Sequence, residues 1–299
     1  MFNPIEWSGN CPCERVTPTF HISRVYMMNL MARKGFSDME LEIITKQPAQ
    51  MTHSTPLLFI HGAWHGAWCW ENFLPYFAES GFEVYALSLR GHGRSEGRKD
   101  IRWFSIYDYV DDVSQLVTSL SSPPVLIGHS MGGYITQKYL ETHNVPAGVL
   151  LASIPVAGIF KMTLRFMKRR PWSTTKTLFL MNSWYLVDSP ALAKEAFFSD
   201  DFPDEEITRL FPNLQPESFR VSVETTGLNL PRPKKVKSPL LVLAAENDRI
   251  FSLAEQRATA KAYNTEAHIF ADMAHNMMLE KGWQKVADKI IAWLTARGL

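Results

Sequence analysis

Ser130 sits in Gly128-His129-Ser130-Met131-Gly132, a G-x-S-x-G pattern, and Asp248 and His275 follow it along the chain in that order. A serine hydroxyl is a poor nucleophile at neutral pH and needs a base to take its proton. The base needs a carboxylate to fix its tautomer and to stabilise the imidazolium that forms. Residues of these three types, in the order Ser…Asp…His, can carry out acyl transfer through a covalent serine intermediate. Such an intermediate also needs N–H donors for its oxyanion. The N–H of Ala63, just after His61-Gly62 at the end of an apolar run, and that of Met131, just after Ser130, are the expected pair.

The elements that must position these groups are legible around them. Val125-Leu126-Ile127 is a short apolar run after Pro123-Pro124, and Tyr134–His143 reads as a helix, so Ser130 falls on a sharp strand-to-helix turn. Glycines at 128 and 132 keep side chains out of that turn. Asp248 follows the strand-like PLLVLAA (Pro239–Ala245), and His275 follows EAHIF (Glu266–Phe270), in the loop Ala271–Met278. Rivals exist for each role. Glu246 is the main alternative acid, and Asp272 lies close to His275. His129 is adjacent to Ser130 and is expected to point away from it. His268 lies within a strand, and His61, His65 and His92 are out of order for the base but are candidates for the pocket wall.

Further strand-like segments are Met39–Lys46, Pro56–Ile60, Phe82–Leu89 and Val145–Ser153, alternating with helices at Glu71–Ser80, Tyr107–Leu120, Phe251–Asn264 and Leu279–Leu299. Near-continuous apolar strands alternating with helices predict an α/β fold, a mostly parallel sheet covered on both faces. From Ile154 to Leu230 the rhythm breaks into short helical stretches rich in Met, Phe and Trp, interrupted by Pro171, Pro190, Pro203 and Pro212. The expected organisation is therefore a core of residues 38–153 and 231–299, with 154–230 inserted as a helical cap that walls the pocket with apolar side chains. Residues 1–37 form an N-terminal extension, ordered or not, with Phe20–Lys34 as a short helix and Met27, Met28, Met31 and Met51 as alternative starts.

Composition narrows the function. Thirty-one Lys plus Arg balance 30 Asp plus Glu, so no overall field favours nucleic acid. The run Arg90–Gly97 lacks the ending of a phosphate loop and the spacing of a dinucleotide fingerprint. Cys11, Cys13 and Cys69 fit free thiols rather than a disulfide framework or a zinc site. No apolar run is long enough to span a membrane and no secretory signal is visible, so the expected location is cytoplasmic. The basic run Lys161–Arg170 reads as a solvated helix face, with peripheral contact to a lipid surface as the alternative.

Over Leu57–Leu299 the sequence resembles the α/β-hydrolase family, at FIHGAWHGAWCW, LRGHGRSEG, IGHSMGG, ENDRIF and AHNMMLE. The first segment is similar to plant methylesterases and hydroxynitrile lyases. The LRGHGRSEG loop followed by YDYVDDV is more similar to monoacylglycerol lipases and lysophospholipases. The resemblance implies Ser130 as nucleophile, Asp248 as acid, His275 as base, Ala63 and Met131 as the oxyanion hole, and no metal or organic cofactor. Dehalogenases and epoxide hydrolases of this fold carry Asp where Ser130 stands, and hydroxynitrile lyases need a pocket lysine that the sequence does not place.

The expected activity is a serine hydrolase acting on a small-molecule carboxylic ester with an apolar acyl or alcohol part, through an acyl-enzyme. The alternatives are a thioesterase, a C–C hydrolase or an acyltransferase with the same triad, or a slow-turnover ligand sensor.

Overall fold

The structure, a computed structural model, describes residues 39–299. The expected Phe20–Lys34 helix, Cys11 and Cys13 lie outside the described residues.

Seven strands form one sheet: β1 (Ile43–Lys46), β2 (Leu57–Ile60), β3 (Val84–Leu87), β4 (Val125–His129), β5 (Gly148–Leu151), β6 (Leu240–Ala245) and β7 (Ala267–Phe270). Their spatial order is β1-β3-β2-β4-β5-β6-β7, with β1 antiparallel to β3 and every other pair parallel. All residues of β2, β4, β5 and β6 are buried, which is why these strands read as unbroken apolar runs rather than alternating ones.

The flanking helices are α1 (Phe73–Glu79), α2 (Ile106–Ser119), α3 (Met131–Tyr139), α9 (Leu253–Ala262) and α10 (Trp283–Thr295). Helix α1 packs on α10, with Phe73 and Tyr76 against the Trp283 ring, and α2 packs on α3. Phe59 of β2 meets Trp70, Phe73 and Phe77 in an aromatic cluster beneath α1. Helix α2 starts at a capping box: the Ser105 hydroxyl accepts the Asp108 N–H, and the Asp108 carboxylate accepts the Ser105 N–H. Ser252 and Glu255 repeat the device at α9.

Five helices lie between β5 and β6: α4 (Phe160–Arg169), α5 (Pro171–Leu180), α6 (Pro190–Phe197), α7 (Asp204–Leu210) and α8 (Phe219–Val223). Of the four prolines expected to interrupt this segment, Pro212 lies in the turn that follows α7 and the other three begin helices. Pro171 and Pro190 occupy first helical positions and Pro203 is the N-cap of α7, where a missing N–H costs nothing.

In a parallel sheet the loops following the strands gather at one edge. Ala63 follows β2, Arg90 follows β3, Ser130 follows β4, Asp248 follows β6 and His275 follows β7. Residues far apart in sequence are thereby brought to a common edge, where open α/β sheets bind ligands.

Candidate active site

Ser130 joins β4 to α3 with φ 51° and ψ −114°, in the left-handed half of backbone space that non-glycine residues avoid. Such a residue costs about 1–3 kcal/mol and persists only where its surroundings hold it. The hold is visible. The Ser130 N–H donates to the Leu151 carbonyl (3.0 Å), and the Ser130 carbonyl accepts from Tyr134 (3.2 Å) and Ile154 (3.0 Å). A Cβ at Gly132 would collide with the backbone carbonyl of Ile60, and one at Gly62 would fall 2.7 Å from His129 Nδ1 and 2.9 Å from Ser130 Cβ. The glycines are therefore what allow the β2 loop and the serine turn to pass so closely.

The structure brings Asp248 and His275 together directly. His275 Nδ1 lies 2.8 Å from Asp248 Oδ2, and both side chains are 1% exposed. The other oxygen, Asp248 Oδ1, accepts the N–H groups of Ile250 (2.7 Å) and Phe251 (3.0 Å), so the carboxylate is bonded on both sides. The rivals are elsewhere: Glu246, Asp272 and His268 are all exposed to solvent. Ser130 is buried and makes no hydrogen bond to His275 among the described residues; its chain neighbour His129 has its ring centroid 4.8 Å from that of His275.

His129 and His65 hold the loop that carries His275. His129 Nε2 donates to the His275 carbonyl (3.0 Å), and Asn276 Nδ2 donates to His65 Nε2 (3.0 Å), while His65 Nδ1 donates to the Ala63 carbonyl (2.7 Å). The acceptor role of Nε2 requires a neutral His65 imidazole. Burial, with the nearby His275 adding to it, moves His129 well below the usual histidine range, and burial lowers His65 to about 4. His61 is held neutral in the same way by burial; its Nδ1 donates to the Gly62 carbonyl and its Nε2 accepts the Leu89 N–H.

Three buried acids outside the expected trio also shape this edge. Asp112 receives the Arg90 N–H and its guanidinium (2.7–2.8 Å), pinning the Arg90–Gly97 loop to α2; burial pushes its carboxyl up to about 6. Glu217 accepts from Tyr109 (2.7 Å) and lies 3.1 Å from His92 Nε2 without good hydrogen-bond alignment. A third, Glu280, takes the N–H and hydroxyl of Ser199 (2.6 and 2.7 Å), tying the turn after α6 to the His275 loop. The partners of Asp112 and Glu280 were unreadable from sequence, although YDYVDDV and AHNMMLE had marked the segments.

Beside these groups lies a cavity of about 130 Å³. Ala63, Trp64, Met131, Ile250 and Phe251 wall it on the sheet side, and Met162, Phe166, Thr177 and Leu178 from α4 and α5 are on the opposite wall. Its lining is mostly apolar, and it is close in size to a cavity of about 150 Å³ that accepts benzene in another protein. Ser130 and His275 are not part of its wall, but Ala63 and Met131 are, and neither N–H has a protein acceptor among the described residues. Trp70 is buried in the core while Trp64 faces the cavity, so the tryptophan-rich segment after His61 serves both packing and pocket. Among the described residues no group of three or more His, Cys, Asp or Glu is arranged to hold a metal ion.

The Alpha/beta hydrolase family matches residues 57–289. Norfluorocurarine synthase 1 of Strychnos nux-vomica is 33% identical over 103 residues, 32% of this chain and 38% of that protein. Methylesterase 3 of Arabidopsis thaliana is 38% identical over 79 residues, 26% of this chain and 30% of its own length. The chain thus spans well under half the length of these curated relatives. Among solved structures, a monoacylglycerol lipase of Paleococcus ferrophilus superposes with a TM-score of 0.64 at 18% identity, covering 87% of this chain and all of that one. The last shows the fold, and the first two show homology to plant enzymes that include a methylesterase. With β2 to β7, the serine turn and both later loops inside the matched span, this chain belongs to the Alpha/beta hydrolase family.

Proposed function

We propose that the protein is a serine hydrolase that cleaves carboxylic esters with an apolar acyl or alcohol part. The observation that carries this reading is the buried Asp248–His275 pair at 2.8 Å, supported by the strained backbone of Ser130, whose neighbour His129 bonds the His275 carbonyl. In the proposed reaction the Ser130 hydroxyl attacks the ester carbonyl while His275 Nε2 takes its proton. In this class the bond between nucleophile and base is often long without ligand and tightens with substrate in place. Asp248 holds Nδ1–H and stabilises the imidazolium. The Ala63 and Met131 N–H groups receive the oxyanion, each contributing about 3 kcal/mol by analogy with other such donors. His275 then protonates the leaving alcohol, and a water deprotonated by His275 releases the acid from the acyl-enzyme.

In this reading residues 154–230 act as a cap over the core of 38–153 and 231–299, and the cavity receives the apolar part of the ester. Hydrolysis of p-nitrophenyl esters of rising acyl length, with wild type compared to Ser130→Ala, tests it. Saturable turnover lost in the variant supports the reading. Wild type no faster than the variant on every ester removes it.

A further inference from the structure

Helices α4 and α5 carry an unusual outer surface. None of the ten residues of α4 is buried. Met162, Thr163 and Phe166 of α4, with Thr174, Thr177 and Leu178 of α5, turn toward the cavity. Away from it, α4 shows Phe160 (56% exposed), Leu164 and Met167 at positions i, i+4 and i+7, a second apolar stripe on the same helix. Helix α5 shows Trp172 (82%) and Phe179 (85%), also seven apart. The surface runs on through Met181 to the exposed Trp103, which share one groove with Lys99 and Arg102. Scattered exposed apolar residues are ordinary, but two adjacent stripes with this many large rings mark a contact site.

The charge along the segment that carries the stripes is one-sided, the carboxylates that border it being Glu255 beside Arg165, Glu195 beside Arg170, and Asp200 and Glu246 across the groove from Arg169. From Thr142 to Val187 the sequence has no Asp or Glu, while it has Lys161, Arg165, Lys168, Arg169, Arg170 and Lys176, in a chain whose net charge is only +1. Arg165 and Arg170 are spent on Glu255 and Glu195. Lys161, Lys168, Arg169 and Lys176 have no carboxylate partner among the described residues, and Lys176 lies over the Tyr185 ring at 3.9 Å. A second copy meeting this face across a two-fold axis would set these cations against themselves. Aromatic and aliphatic side chains rimmed by unpaired lysines match instead the boundary between acyl chains and acidic headgroups.

We infer that the α4–α5 surface docks on an anionic lipid surface, with Trp172 and Phe179 entering the headgroup layer and Lys161, Lys168 and Lys176 bound to phosphate above it. The cavity lies directly under the same two helices, so docking places its wall against the lipid. The inference does not depend on the proposed reaction, because its readout is binding.

The test is sedimentation of the full chain with vesicles of phosphatidylcholine, with and without phosphatidylglycerol. The protein is expected to pellet only with the phosphatidylglycerol vesicles and to be released as salt is raised. Lys161→Gln/Lys168→Gln/Lys176→Gln is expected to weaken binding about 100-fold, taking roughly fivefold per lysine near the surface. Trp172→Glu/Phe179→Glu is expected to abolish it, with an unchanged thermal transition showing that the variant is folded. No pelleting with acidic vesicles, equal binding to both vesicle types, or binding that survives both sets of substitutions overturns the inference. A concentration-dependent dimer that the Trp172→Glu/Phe179→Glu variant dissolves, without vesicle binding, assigns the face to a second copy instead.

Discussion

The C-terminal edge of the sheet and the α4–α5 surface are built on opposite principles. At the sheet edge the carboxylate and the loop of the candidate base are tied down by hydrogen bonds: Asp248 is bonded on both oxygens, and two neutral histidines grip the His275 loop. On α4 no residue is buried, and large apolar side chains face outward. The first region suits chemistry that tolerates little displacement. The second suits contact with a soft partner that conforms to it. Substitutions at the edge are therefore expected to act on rate or on folding as a whole, and those on the helices to leave both nearly unchanged.

The largest effect is expected at the serine. Ser130→Ala should lower kcat about 10⁵–10⁶-fold on any ester the wild type turns over, with an unchanged melting temperature. Asp248→Asn should cost about 10⁴-fold, since the amide favours the wrong His275 tautomer; a loss below tenfold in steady-state assays would remove Asp248 from the proposed trio. Gly132→Ala, which drives a methyl into the Ile60 carbonyl, should destabilise the fold by about 3 kcal/mol or more, read as a lowered midpoint in urea.

The buried histidines set a pH dependence. His65 has its folded pKa lowered to about 4 against 6.5 when unfolded, so the unfolded chain binds the extra proton first. Its contribution is intact above about pH 6.5 and is lost as pH falls toward 4, by about 3 kcal/mol for this residue alone. Urea titrations across that window check it, and His65→Gln should flatten the slope. The smallest effect belongs to the helices: Trp172→Ser should change stability by less than about 0.5 kcal/mol, because the ring covers almost nothing. A larger loss would show that the α4–α5 surface is part of the packed core and would erase the contrast.

Much of the sheet edge was legible because its signals are local. Leu57–Ile60, Val125–His129 and Leu240–Ala245 are apolar runs that end at His61, Ser130 and Asp248, and a parallel sheet then collects those ends at one edge. The structure pairs Asp248 with His275 and leaves the rivals Glu246 and Asp272 in solvent. What stayed hidden is pairing across long separations. Nothing near Glu280 announces Ser199, nothing near His65 announces Asn276, and Glu217 meets Tyr109 from more than a hundred residues away. Nor does any local pattern set β1 antiparallel at the outer edge of the sheet. The outward stripe on α4 was obscured for another reason. Its residues are interleaved with those that face the cavity, and composition alone treats both as core.

One turn described above ties two properties together. Asp248 Oδ1 is bonded by the N–H groups of Ile250 and Phe251, and these same two residues form part of the cavity wall. A change of residue there, made to fit a different ligand, also disturbs the carboxylate that orients His275. Met162, Phe166 and Leu178 on the facing wall carry no such obligation. New ligand preferences should therefore be reached by drift on the helical side of the pocket, while the turn after β6 stays nearly fixed in any line of descent that keeps its chemistry.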